Sequence, residues 1–276
     1  MLGKIIKHEF KATWKSIVGM FAIIIAMLII SSVSYMLQDN DYDVMPTDIL
    51  NIVTGISIFL LVMSLICGSV IIIVVMCKRF FDSVYSNQGY LTLTLPVNKL
   101  TILNGKIITY FVWSVATLLV VIPSGWAYIC LLADEDFSKI FDYISDYLYE
   151  CDNFFTQVVI PLLSGAFSII QFFLFIFACL SMGQLSNKHK IGSAIGWGFI
   201  FRVIQSVIGG IASYFFTLAN KGVVSSVILG FLTGRGRIYT DSYNKVIFFN
   251  FFMVLVFTAF YYMITGIIMT KKVNLQ

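Results

Sequence analysis

The sequence predicts an all-α integral membrane protein: six transmembrane helices preceded by a short amphipathic helix in the membrane interface. Three observations carry that prediction. Hydrophobic residues make up 59% of the 276-residue chain and charged residues only 12%, with a mean hydropathy of +0.92, whereas soluble domains carry about 25% charged residues. Six apolar runs, near 17–37, 52–77, 107–132, 154–183, 191–218 and 246–270, are long enough for the roughly 20 residues a helix needs to cross a bilayer. Finally, charge is segregated between alternate breaks in these runs.

Residues 1–16 come first. Ile5, Ile6, Phe10 and Trp14 recur near helical spacing, with Lys4, Lys7, Lys11 and Lys15 on the other side. That pattern suits a basic helix lying in the interface, with Lys7, Phe10, Lys11 and Trp14 at its centre. The apolar run behind it is too long for the core of a cleaved signal, so it is read as a retained span. The break at 38–50 carries Asp39, Asp41, Asp43 and Asp48 but lacks the glycine and terminal glutamate of an EF-hand, so it is a solvated acidic loop. The third run is interrupted by Pro123-Ser124-Gly125, where a serine hydroxyl or a neighbouring helix would have to satisfy the carbonyl that proline frees. Residues 133–153 hold seven acids against Lys139, with Phe137, Ile140, Phe141, Ile144 and Leu148 at three-to-four spacing. This predicts an acidic amphipathic helix on the outer face. In 219–245, the apolar piece 223–233 is too short to cross, so the segment reads as extracellular or re-entrant.

Six spans put both termini on one side. The N-terminal segment, the 78–106 stretch, the 185–192 turn and the tail hold twelve of the eighteen Lys and Arg, and the opposite segments hold five. The positive-inside rule makes the first set cytoplasmic. Only the 219–245 segment, with Lys221, Arg235, Arg237 and Lys245, runs against that assignment.

Several function classes find no support. There is no GxxxxGK[ST] phosphate loop, so ATP has no visible site. The net charge of +4 is small and gives no sign of a nucleic-acid partner. His8 and His189 have no second ligand near them in sequence, which argues against a metal site. The five cysteines form no CxxC pair; Cys67, Cys77 and Cys179 lie in apolar runs or at their ends and read as small hydrophobes. Cys130 and Cys151 both fall on the outer side, where a disulfide and two free thiols remain open. No run contains Asp, Glu or His, which argues against proton- or sodium-driven transport.

Arg202 is the one charge deep in a span, at a cost of about 2.5–3.5 kcal/mol on insertion scales. Either it snorkels roughly 15 Å to the cytoplasmic face, or it faces the bundle interior with Gln205 one turn on and meets an anionic group or a partner carbonyl. The distance favours the interior. Gln171, in the fourth span, is the other polar side chain assigned to this path. Gly192, Ser193, Ala194, Gly196 and Gly198 give the fifth span a small-residue face for close helix approach.

The stretch Lys78–Lys106, KRFFDSVYSNQGYLTLTLPVNKLTILNGK, is the longest basic break. Phe80, Phe81, Val84 and Tyr85 make one side of a short helix, Arg79, Asp82, Ser83 and Ser86 the other, and Gly89 follows its end. YLTLTLP then alternates up to Pro96, and Asn98 and Thr101 offer capping groups to the next helix. Two phenylalanines and a tyrosine exposed on a cytoplasmic helix suggest a docking surface.

KHEFKATWKS before the first span, and RFFDSVYSNQGYLTLTLPVNKLTILNGK after the second, resemble membrane permeases of the ABC-2 type. These are six-span half-transporters of bacterial ATP-binding cassette exporters. The resemblance implies an ABC-2 exporter-like fold in the bacterial plasma membrane, with cytoplasmic termini. It implies a second permease copy, identical or related, and a separate ABC ATPase subunit that carries ATP and Mg. The helix at 78–88 would be the coupling helix, seated on that ATPase beside the N-terminal helix. Phe80, Phe81 and Tyr85 would be its anchors, and Arg79 and Asp82 would set its orientation. The chain would bind no cofactor itself and would be no enzyme. Spans rich in Phe, Met and Tyr, with one Arg and no acid, suit an amphipathic or hydrophobic solute. A phenol-soluble-modulin-like or antimicrobial peptide is the expected kind, rather than a metal cation.

Overall fold

The computed structural model describes residues 2–39, 47–85, 98–133, 138–151, 153–186, 189–220 and 240–271. These form α1 (Leu2–Asp39), α2 (Thr47–Tyr85), α3 (Lys99–Ala133), α4 (Lys139–Glu150), a π-helical turn (Phe155–Val159) leading into α5 (Ile160–Gly183), α6 (Lys190–Ala219) and α7 (Thr240–Lys271). There is no strand among the described residues. Six helices, all but α4, are long and apolar enough to cross a membrane. The chain is a multi-pass membrane protein by that measure.

The helices outrun the apolar segments that predict them. α1 is one helix of 38 residues, about 57 Å long, nearly twice the hydrocarbon thickness. The separate interfacial helix expected over 1–16 is its first four turns. Nothing between Lys15 and Met20 stops a helix except Gly19, which costs only about 1 kcal/mol against alanine. α2 likewise runs past Cys77 without a break, so Lys78–Tyr85 are its last two turns and not a helix of their own. Gly89 and the GYLTLTLP run lie outside the described residues. α3 begins at Lys99, eight residues before the predicted span, where the Asn98 Oδ1 accepts from the Leu100 N–H at 3.1 Å and caps it. α7 takes in 240–245, and 221–239 lies outside the described residues.

Two compact units can be distinguished: Met1–Asp82 with Ile108–Ser145, and Ser83–Ile107 with Asp146–Gln276. The first is built from α1, α2 and α3. The inward stripe of α1 is Glu9, Thr13, Ile17, Met20, Ile24, Ser31 and Ser34, at three-, four- and seven-residue steps. It meets α2 closely at Gly68, where an added Cβ would stand 3.1 Å from Ile24 and 3.3 Å from Met20. Farther along, Ser34 and Ser57 hydroxyls are 2.7 Å apart, and Thr54 donates to the Ser34 carbonyl. α3 stays helical through Pro123. Ser124 donates to the Val121 carbonyl, so its hydroxyl does not serve the Leu119 carbonyl that Pro123 frees.

The second unit is centred on α5, which packs against both α6 and α7. α5 and α6 approach closely at Gly183: a Cβ there would lie 2.6 Å from that of Ala194 and 2.7 Å from the Lys190 carbonyl. The small-residue face expected on α6 thus meets α5 within the subunit at Ala194. Proline again shapes the backbone at the entry to α5. Pro161 has no N–H to offer the Gln157 carbonyl, and the Tyr147 hydroxyl of α4 donates to that oxygen at 3.2 Å instead. α4 is the predicted acidic amphipathic helix, with Phe141, Tyr143, Ile144, Tyr147 and Tyr149 exposed. Cys130 and Cys151 are free thiols.

Candidate functional site

Two groups of side chains have geometry beyond apolar packing. The first lies in the first unit, where the N-terminal turns of α1 meet α2 and α3. The Arg79 Nε is 3.2 Å from the Glu9 Oε2, with Glu9 the more buried partner. One turn on, the Thr13 hydroxyl donates to the Glu9 carbonyl and accepts the Trp113 indole N–H at 2.9 Å. Phe10, Trp14 and Phe21 rings surround Trp113 at centroid distances of 5.3, 6.4 and 6.5 Å. These contacts fix the start of α1 against the last turns of α2 and the body of α3.

The residues assigned to coupling are distributed differently from the sequence expectation. Phe80 and Val84 are fully buried, not exposed. They continue the inward stripe of α2, which runs from Leu61 to Ile72, three turns on, and then through Met76 at four-residue steps, so the turn cannot show them to solvent. Phe81 and Asp82 are half-buried, and Lys78 is exposed. Tyr85, also half-buried, donates to the Ser181 hydroxyl at 2.6 Å in the second unit. Arg79 is engaged by Glu9. In the N-terminal turns Lys7 and Lys11 are exposed, Phe10 packs on Trp113, and Trp14 keeps 57% of its surface exposed.

The second group lies midway along α6 in the second unit. Arg202 stands twelve residues after Lys190, about 18 Å up a 30-residue helix. Its guanidinium carbon is 5.1 Å from the centre of the Phe175 ring of α5, within cation–π range. Its Nη1 donates to the Gln205 Oε1 at 3.3 Å, and the buried Tyr261 hydroxyl of α7 donates to the same oxygen at 3.1 Å. Tyr261 in turn meets Phe175, Phe201 and Phe260 edge to face. α5, α6 and α7 therefore each contribute a side chain to one aromatic-walled polar site, and the Arg202 side of it is exposed. Gln171, one turn before Phe175, is half-buried and bonds to neither Arg202 nor Gln205.

No protein-family model, curated protein or solved structure matches the chain.

The chemistry of the mid-span site must therefore be read from its own atoms. It is cationic, rich in N–H donors and lined by rings. Among the described residues no group of His, Cys, Asp or Glu is placed to hold a metal ion. Sequence reasoning found Arg202 as the one charge deep in a span, with Gln205 one turn on, and missed Phe175 and Tyr261, which nothing local distinguishes from other aromatics in the spans. It also missed three buried polar groups. Glu9 and Thr13 sit on the inward face of α1, between Ile5 and Phe10, on the side that the sequence reading gave to the membrane interface. Lys106, placed in the cytoplasmic stretch, is fully buried on α3. The available signal was the four-residue step from Glu9 through Thr13 to Ile17.

Proposed function

We propose that this chain is the permease subunit of an ATP-driven ABC exporter of the ABC-2 type. It moves an amphipathic or hydrophobic solute, of which a peptide is the best candidate, out of a bacterial cell by alternating access. The observation that carries the transport reading is Arg202: a charge exposed at the middle of a spanning helix and built into a site with groups from three helices. Intramembrane charges so placed mark solute pathways more often than structural positions. The energy source follows from the sequence, which has no phosphate-binding loop and carries the ABC-2-like stretches on either side of the first two spans.

In this reading a separate ATPase seats against the end of α2, and a second permease copy completes the pathway. The continuity of α2 supports a lever. A helix unbroken from Thr47 to Tyr85 transmits a push at its end along its whole length. Lys78 and Phe81 are better docking groups than Phe80, which the fold has already buried.

Ion-coupled transport is the second reading, favoured by the deeply buried Glu9 carboxylate on α1. Co-expression with an ABC ATPase separates the two. The exporter reading expects copurification that Lys78→Glu with Phe81→Asp weakens, and uptake into inside-out vesicles that needs ATP and survives collapse of proton and sodium gradients. Uptake that follows a gradient without ATP supports the second reading, and no solute movement under either condition makes the chain a scaffold.

A further inference from the structure

We infer that the Arg202 site binds the anionic head of an amphiphile, a carboxylate or phosphate group joined to an apolar tail. This deepens the proposed permease function by naming the chemistry of its ligand, and it rests on that reading only for the ligand being cargo.

Donors outnumber acceptors at this site. Arginine has no acceptor, so the Gln205 atom facing Nη1 must be the amide oxygen. That oxygen also takes the Tyr261 hydroxyl, so the acceptor of Gln205 is occupied from two sides. What the pair still offers is its amide NH2 and the remaining guanidinium N–H groups, all donors beside a positive charge. A neutral or cationic head finds nothing there to donate to; a carboxylate or phosphate finds a fork of donors suited to it.

Among the described residues the Arg202 charge forms no ion pair. The Phe175 ring and the Gln205 oxygen attract the guanidinium but carry no formal charge. The described spanning helices of a second copy carry no acid at this depth. The acids on the described spanning helices are Glu9, Asp39, Asp48, Asp82 and Asp241, each near a helix end, and α3, α5 and α6 have none. The flanking surface fits a tail. Phe199 and Val203 are exposed on α6, one turn before and one residue after Arg202.

The test uses the purified full chain in a neutral maltoside detergent, without any ATPase, and measures equilibrium binding of three probes with one tail: dodecanoate, dodecyl phosphate and dodecyltrimethylammonium. Both anions should bind at least about tenfold more tightly than the cation, as one charge-assisted pair is worth. Arg202→Gln should remove that preference and Arg202→Lys should keep part of it. Gln205→Glu, which places a carboxylate beside Arg202, should abolish anion binding while the chain remains monodisperse. Equal binding of all three probes, or anion binding unchanged in Arg202→Gln and Gln205→Glu, overturns the inference. Repeating the dodecanoate titration in nanodiscs of phosphatidylglycerol identifies the source. Competition by that lipid supports a lipid head group, and unimpaired binding supports a free amphiphile. Because no ATPase is present, anion binding without ATP-dependent transport would sustain the site and sink the exporter reading. Transport undiminished in Arg202→Gln would do the reverse.

Discussion

The Glu9 carboxylate lies 3.2 Å from the Arg79 Nε, joining residues seventy positions apart on two helices. Glu9 is the more buried member, at 8% side-chain exposure against 23%. The two ends of the pair should therefore respond unequally to mutation. Arg79→Gln leaves a carboxylate in the drier position and should lower stability by about 2 kcal/mol, whereas Glu9→Gln leaves a guanidinium nearer solvent and should cost about 1 kcal/mol. Thermal unfolding in detergent of both single variants and the double variant measures the coupling. Zero coupling would show the pair to be incidental.

Trp113 does two jobs at the same place, and they can be separated. Trp113→Phe keeps most of the ring contact with Phe10 and Phe21 but loses the N–H donated to Thr13. It should cost about 1 kcal/mol, whereas Trp113→Ala should cost about 3–5 kcal/mol. Similar losses from both variants would mean that the hydrogen bond, and not the ring, holds α1.

Gly183 tests the α5–α6 contact. A Cβ there would meet Ala194 at 2.6 Å and the Lys190 carbonyl at 2.7 Å, and a backbone atom yields little. Gly183→Ala should destabilise by about 1–3 kcal/mol. Gly165→Ala on the same helix meets nothing within 4 Å and should be neutral or stabilising by up to about 1 kcal/mol. Chemical denaturation of both variants decides this, and a neutral Gly183→Ala would mean the helices cross less closely.

The sidedness of the chain makes Cys151 a reporter. It lies between α4 and the π-helical turn, and the proposed topology, with cytoplasmic termini, puts it outside. A membrane-impermeant maleimide should label it in intact cells. Lys78→Cys, made in a Cys151→Ser background, should label only after permeabilisation. The opposite pattern would invert the topology.

The six spanning helices were legible because the bilayer demands a long apolar run from each and charge marks the sides. Their ends were not. A run of hydropathy stops where lipid stops, whereas a helix stops where a breaker or cap stops it. Neither Lys15–Met20 nor Cys77–Asp82 contains a proline, so α1 and α2 continue. The inward turn of Phe80 and Val84 was hidden for a different reason. A spanning helix is apolar on its lipid face as well as its packed face, so the stripe Leu61, Ile72, Met76 and Phe80 has no polar background to stand against. The same masking concealed Phe175 and Tyr261 among the many aromatics of the spans.

The sequence by itself determined that the chain carries six segments long and apolar enough to cross a membrane, that charge is unevenly divided between the breaks, and that a single arginine lies deep within one of the segments. These are properties of local composition set against a solvent that excludes charge. Only the tertiary structure decided what that arginine meets and which end groups are already engaged. It joined Arg202 and Gln205 to Phe175 and Tyr261, and Arg79 to Glu9. Contacts between helices distant in sequence depend on which face each helix turns inward, and in a membrane hydrophobicity alone does not choose the face.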